Sequence, residues 1–121
     1  MYRVIFYETA RGDKPVKDFL RGLDKKTRTK VYRCSALLEQ FGPNLIRPYA
    51  DVVRGKIREL RVTFSHDNVR VLYFFAFRTD IVLLHGFLKK TQRLDPGDIE
   101  LAERRMVDWL SRYDDLEEAT T

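Results

Sequence analysis

Three cationic marks fall on three consecutive apolar segments of this 121-residue chain. Arg61 closes KIRELR, Arg70 opens RVLYFF, and Lys89-Lys90 end LLHGFLKK. Strand interiors are costly places for unpaired charge, so cations gathered there point to an anionic ligand. A guanidinium offers a planar fork that donates two hydrogen bonds to one phosphate. Two such forks beside a lysine can hold a phosphodiester and stabilise the charge that builds up as it is attacked. That chemistry also needs proton transfer. The candidates are Glu59 as a base, His85 as either partner, Lys90 or Lys89 as an acid or clamp, and Tyr73 as a hydroxyl donor or stacking ring. Each also has a structural reading. Arg61 and Arg70 can pair with Glu59 or Asp67, His85 can be a packed, hydrogen-bonded side chain, and Tyr73 can be plain core.

Alternation along a strand limits which of these share a face. Ile57, Glu59 and Arg61 alternate with Arg58, Leu60 and Val62. Leu83, His85, Phe87 and Lys89 alternate with Leu84, Gly86, Leu88 and Lys90. Lys89 and Lys90 therefore point opposite ways while the strand is regular, and only one of them joins Arg61.

The elements that must position these groups are legible in outline. Residues 2–8, YRVIFYE, read as a strand. Asp13 is placed to cap a short helix with Pro15 in its first turn, and Val16, Phe19, Leu20 and Leu23 give it an apolar stripe. Asp24 caps a second helix running to about Phe41, with Val31, Cys34, Leu38 and Phe41 on its apolar side and Gly42-Pro43-Asn44 as its stop. Residues 44–54 read as a loop. Strands follow at 56–63, 69–77 and 81–89, joined by turns at Ser65–Asn68 and Arg78–Asp80. The middle strand is apolar on both faces, which predicts cover on both sides. A last helix starts at Asp95-Pro96. The expected class is α+β, a two-helix hairpin packed on a small, curved, mainly antiparallel sheet in the order β-α-α-β-β-β-α. One domain is expected over 1–113, followed by an acidic flexible tail over 114–121.

Composition narrows the function classes. Hydrophobic residues make up 44% of the chain, enough for a real core, and no apolar run reaches membrane-spanning length. One cysteine, Cys34, allows no internal disulfide and agrees with a reducing, cytoplasmic setting. The net charge of +5 is unevenly spread: residues 95–121 hold nine acids and three bases, so residues 1–94 carry nine acids and twenty bases. A body of net +11 raises the local concentration of phosphate polyanions. Lys25, Lys26, Arg28 and Lys30 on the second helix, with Arg58, are the candidate cations for such a partner, which the resemblance described below implies is RNA. Two scattered histidines and one cysteine make no zinc pattern, and glycine-rich phosphate loops and nucleophile elbows are missing. No metal or cofactor is expected.

The ordered set KIRELRV, NVRVLYFF and IVLLHGFLKKTQ resembles the core of RelE/ParE-superfamily toxins of type II toxin–antitoxin systems, closest to the HigB-like, phage-associated branch. The resemblance implies a RelE-like fold and a ribosome-dependent, metal-independent endoribonuclease that cuts mRNA in the decoding site. Arg61 would contact the scissile region, Arg70 would stabilise transition-state charge, Lys90 or Lys89 would act as acid or clamp, and Tyr73 matches an aromatic of the central strand. The implied partners are a cognate helix-turn-helix antitoxin, the ribosome with its rRNA, and mRNA, with the chain either a free monomer or part of a toxin–antitoxin hetero-oligomer. Some ribonuclease members carry an Asp-Tyr-His cluster near the C-terminal end; this chain has none, which leaves its general base open. A ParE-like gyrase inhibitor and a non-catalytic nucleic-acid-binding phage protein are the alternatives, because fold does not fix activity.

Overall fold

A computed structural model describes residues 1–77 and 79–120, with the side chains of 78 and 114–120 left out. Its elements are β1 (Arg3–Phe6), α1 (Pro15–Arg21), α2 (Lys25–Phe41), β2 (Ala50–Arg54), β3 (Ile57–Phe64), β4 (Asp67–Phe75), β5 (Asp80–Leu88) and α3 (Pro96–Thr120), with a short 3-10 turn at Gly42–Asn44. The strands form one sheet in the order β1-β5-β4-β3-β2. β1 runs parallel to β5, and the other pairs are antiparallel. This is the α+β class expected.

The sheet is covered on both sides, which is why β4 is apolar on both faces. On one side Val16 and Leu20 of α1 and Val31, Cys34 and Leu38 of α2 pack against Leu60, Val62, Val69, Val71, Tyr73, Ile81 and Leu83. On the other, Ala102 and Trp109 of α3 pack against Ile57, Leu72, Phe74, Val82 and Leu84. Asp24 caps α2 as expected, accepting from the amides of Lys26 and Thr27. Gly42 ends that helix at φ 54°, a left-handed backbone suited to glycine.

Four details differ from the sequence reading. Residues 50–54 are not loop but the edge strand β2, paired to β3 from Ala50↔Leu60 to Arg54↔Ile57 with an irregularity near Val52. It is short, follows Pro48 and leaves Val52 exposed, so it lacks a strong pattern. The cap of α1 is Lys14, with no side-chain bond, rather than Asp13. Phe41 lies outside the core, 44% exposed, because α2 is ending there. β4 starts at Asp67, so the first turn is tighter than expected, with Ser65 at φ 57°. The second turn includes Arg78, which lies outside the described residues; the expected tail at 114–121 lies outside those whose side chains are described.

One irregularity governs the rest. Leu72 pairs with His85 and Tyr73 with Leu83, so Leu84 is an extra residue in β5. Such a bulge breaks the alternation of the strand. Val82 and Leu84 face α3, and His85, opposite Leu72, faces α3 as well. Arg105 of α3 donates to the Leu84 carbonyl at 2.8 Å and so satisfies the bulge.

Candidate active site

Beyond the bulge, two rows of side chains lie on the α3 side of the sheet. Cross-strand pairing aligns Glu59, Leu72 and His85 in one row and Arg61, Arg70 and Phe87 in the next. Arg61 and Arg70 thus face each other directly. Like charges directly opposite destabilise a sheet unless something offsets them. Glu59 does so: one oxygen, Oε1, lies 3.6 Å from Nε of Arg61 and 3.6 Å from Nε of Arg70.

The two arginines are not equivalent. Arg70 is buried, 4% exposed, while 31% of the Arg61 side chain is open to solvent. Burial pulls the Arg70 guanidinium below its usual range; Glu59 opposes that shift and Arg61 adds to it. Arginine stays charged through such shifts. Arg70 Nη1 donates to the Val69 carbonyl at 3.1 Å, and its buried Nε has no hydrogen-bond partner. A desolvated cation with an unused donor is suited to bind an oxyanion.

A cleft of two lobes opens over these groups. One lobe, about 350 Å³, is lined by Asn68, Arg70, Lys89, Lys90, Thr91 and Gln92. The other, about 420 Å³, holds Glu59 and Arg61 with Arg47, Asp51, Leu94 and Ile99. Lys89 and Gln92 line both lobes. β5 ends at Leu88, and the Lys89 amide donates to the Asn68 carbonyl at 2.7 Å. With the strand finished, alternation no longer separates the lysines: both join Arg70, and Lys89 alone also reaches the Arg61 lobe. Lys89 is thus the one lysine at Arg61, while the Arg70 lobe has both.

His85 stands at the helix side of this face. Its Nε2 lies 2.7 Å from Oδ1 of Asp98, and its ring stacks on Phe87 with centroids 5.1 Å apart. Asp98 belongs to the first turn of α3.

Tyr73 is not brought to the cleft. Three residues from Arg70 along a strand, it must point the other way, and it is fully buried against α1 and α2 with its hydroxyl unbonded. Burial pushes its phenol up to about 12, opposed by the neighbouring Arg58. Arg58 pairs with Tyr73 on that face and lies 5.3 Å over the Phe75 ring.

The expected RNA-binding cations of α2 also occupy the far face. Lys25, Lys26 and Lys30, with Arg33, rim a groove of about 750 Å³ whose floor is Cys34, Leu37, Tyr49 and Phe64. Lys30 donates to the Thr63 carbonyl and sits 5.7 Å over Phe64. Arg28 instead closes the end of α1, reaching the Arg21 and Leu23 carbonyls at 3.3 and 3.4 Å. Among the described residues no cluster of His, Cys, Asp and Glu is suited to a metal, and no helix is long and apolar enough to cross a membrane.

Sequence reasoning missed Asp98, Asn68, Gln92 and the Arg47–Asp51 pair, held at 2.7 Å. Asp98 was visible as a helix-start residue, but nothing in a separation of 13 residues marks it as the partner of His85.

A family model described as "Phage derived protein Gp49-like (DUF891)" matches residues 18–107. A curated protein of Mycobacterium tuberculosis (strain ATCC 25618 / H37Rv), described as "Putative toxin HigB2", is 30% identical over 108 residues, covering 83% of this chain and 53% of that relative. The chain therefore spans about half the length of the curated relative it matches.

Proposed function

Because this chain belongs to the phage-derived Gp49-like family, we propose that it is the toxin of a type II toxin–antitoxin system, and that it is an endoribonuclease cutting mRNA on the ribosome. The observation that carries this reading is the cross-strand pair Arg61 and Arg70, held by Glu59 over a cleft whose other wall is Lys89 and Lys90. The scissile phosphate sits between the two guanidiniums. The 2′-hydroxyl next to it attacks phosphorus, so the nucleophile comes from the RNA and no metal-activated water is required. Arg70 meets the added charge on the phosphoryl oxygens, and Lys90 or Lys89 protonates or clamps the departing 5′ oxygen. Glu59 is occupied in holding both arginines, which makes it a positioning group. Ribosomal positioning of the message supplies much of the remaining acceleration. The relative's description supports an antitoxin partner for this chain, in keeping with the expected helix-turn-helix protein.

Primer extension on message after brief induction, with and without ribosomes, tests this. Codon-associated cuts inside translated frames are expected with wild type. Arg70→Ala is expected to lower cutting by about 10²-fold or more, the usual effect of losing one oxyanion donor. Intact message together with DNA damage would instead favour gyrase as the target.

A further inference from the structure

We infer that His85 takes the proton of the attacking 2′-hydroxyl at Nδ1, and that Asp98 is the positioning residue that readies it. This rests on the ribonuclease reading above and supplies the base that reading lacks. An ionised carboxylate accepts hydrogen bonds and donates none. The 2.7 Å contact with Asp98 Oδ1 therefore puts the proton of a neutral imidazole on Nε2 and leaves the lone pair on Nδ1. The stacked Phe87 ring fixes the plane of the imidazole. The side chain is 16% exposed; it lines neither lobe of the cleft and stands one row from Arg70 on the same face.

The dyad stands beside the phosphate clamp. Arg70 pairs with Phe87 and Leu72 with His85, so Arg70 and His85 are diagonal neighbours on one face. Such neighbours lie about 7–8 Å apart at the backbone, which a guanidinium and a bound ribose phosphate can span. Ile99, next to Asp98, lines the Arg61 lobe of the cleft. The charged groups around His85 are Asp98, bonded to it from α3, and Arg70, its diagonal neighbour on β4; Arg105 of α3 is engaged with the Leu84 carbonyl and the Tyr7 ring, and Glu59, two strands away, with the arginines. The step balances as follows. The 2′ oxygen bonds to phosphorus, its proton moves to His85 Nδ1, and the bond from phosphorus to the 5′ oxygen breaks. That oxygen leaves with a proton from Lys90 or Lys89, giving a 2′,3′-cyclic phosphate and a 5′-hydroxyl.

The test begins with the free, full-length protein. Long-range ¹⁵N–¹H correlation of the imidazole is expected to show hydrogen on Nε2 and a bare Nδ1 in wild type, and a mixture of tautomers in Asp98→Ala. Added 3′-UMP is expected to shift the Nδ1 resonance of wild type. On ribosome-bound message, His85→Ala is expected to cut about 10²-fold more slowly. Asp98→Ala is expected to be about tenfold slower with KM within twofold. Asp98→Asn, whose amide oxygen still accepts from Nε2, should recover the tautomer and part of the rate. A wild-type histidine carrying its hydrogen on Nδ1, or His85→Ala cutting at the wild-type rate, overturns the inference. So does an Asp98→Ala variant that keeps hydrogen on Nε2 alone and whose rate loss tracks a lower melting temperature. If wild type cuts no message, the base role falls with the ribonuclease reading, while the tautomer still decides whether Asp98 positions His85.

Discussion

Two arginines opposite each other in a sheet repel, and Glu59 is the residue that makes their pairing stable. Removing it leaves the buried Arg70 guanidinium without its ion-pair partner and still opposite Arg61. Glu59→Ala is therefore expected to lower unfolding free energy by about 3–5 kcal/mol in urea titrations, the cost of breaking a buried ionic cluster. Tyr73 makes the opposite forecast. Its hydroxyl is buried without a hydrogen bond and lies across the sheet from the cleft. Tyr73→Phe should leave growth arrest unchanged and stability unchanged or raised by about 1 kcal/mol; loss of toxicity with the fold intact would bring Tyr73 back into the site. Arg61 and Arg70 were readable from sequence because charge in an apolar strand is conspicuous. Tyr73 is the opposite case: its residue type suits the chemistry, but three residues from Arg70 is an odd spacing, which in a strand reverses the face.

At the scale of elements, the motif His85-Gly86-Phe87 is explained by packing on both sides of one strand. Gly86 points at α1, and a Cβ there would lie 2.6 Å from the Phe19 ring. Gly86→Ala should push α1 off β5 and cost about 1–3 kcal/mol, read as a lower urea midpoint. The cap of α2 carries a pH signature. The Thr27 hydroxyl, with the amides of Thr27 and Lys26, holds the Asp24 carboxyl below the usual carboxylate range. Its folded value thus lies below its unfolded one. The stability it contributes is complete above the unfolded value, about 3.9, and is lost as pH falls through the folded value. Asp24→Asn, which still caps, should flatten that part of the stability curve measured between pH 5 and about 2. Helices and central strands were legible because their periodicities are long and capped. β2 and the bulge were not, since one is a five-residue edge strand and the other a single inserted residue set by partners distant in sequence.

On the whole molecule, the sheet separates two basic surfaces. The arginine cleft lies on the α3 side and the lysine-rimmed groove on the α1/α2 side. Composition revealed the charge and its excess over residues 1–94, but a linear sequence does not say on which side of a sheet each cation ends. If the body steers toward RNA, ribosome association should weaken steeply with salt, by about tenfold or more between 50 and 200 mM. A flat dependence in co-sedimentation would argue against electrostatic steering. The bulge at Leu84 also has a consequence for how such a chain diverges. Deleting that one residue would restore regular alternation with His85 and Phe87 still on the cleft side, whereas regular pairing with Leu84 retained would turn both to the α1/α2 face and bring Gly86 round to the cleft. Relatives that keep the extra residue but pair it regularly would therefore exchange a whole set of cleft side chains at once, with every one of those residues still present in the sequence.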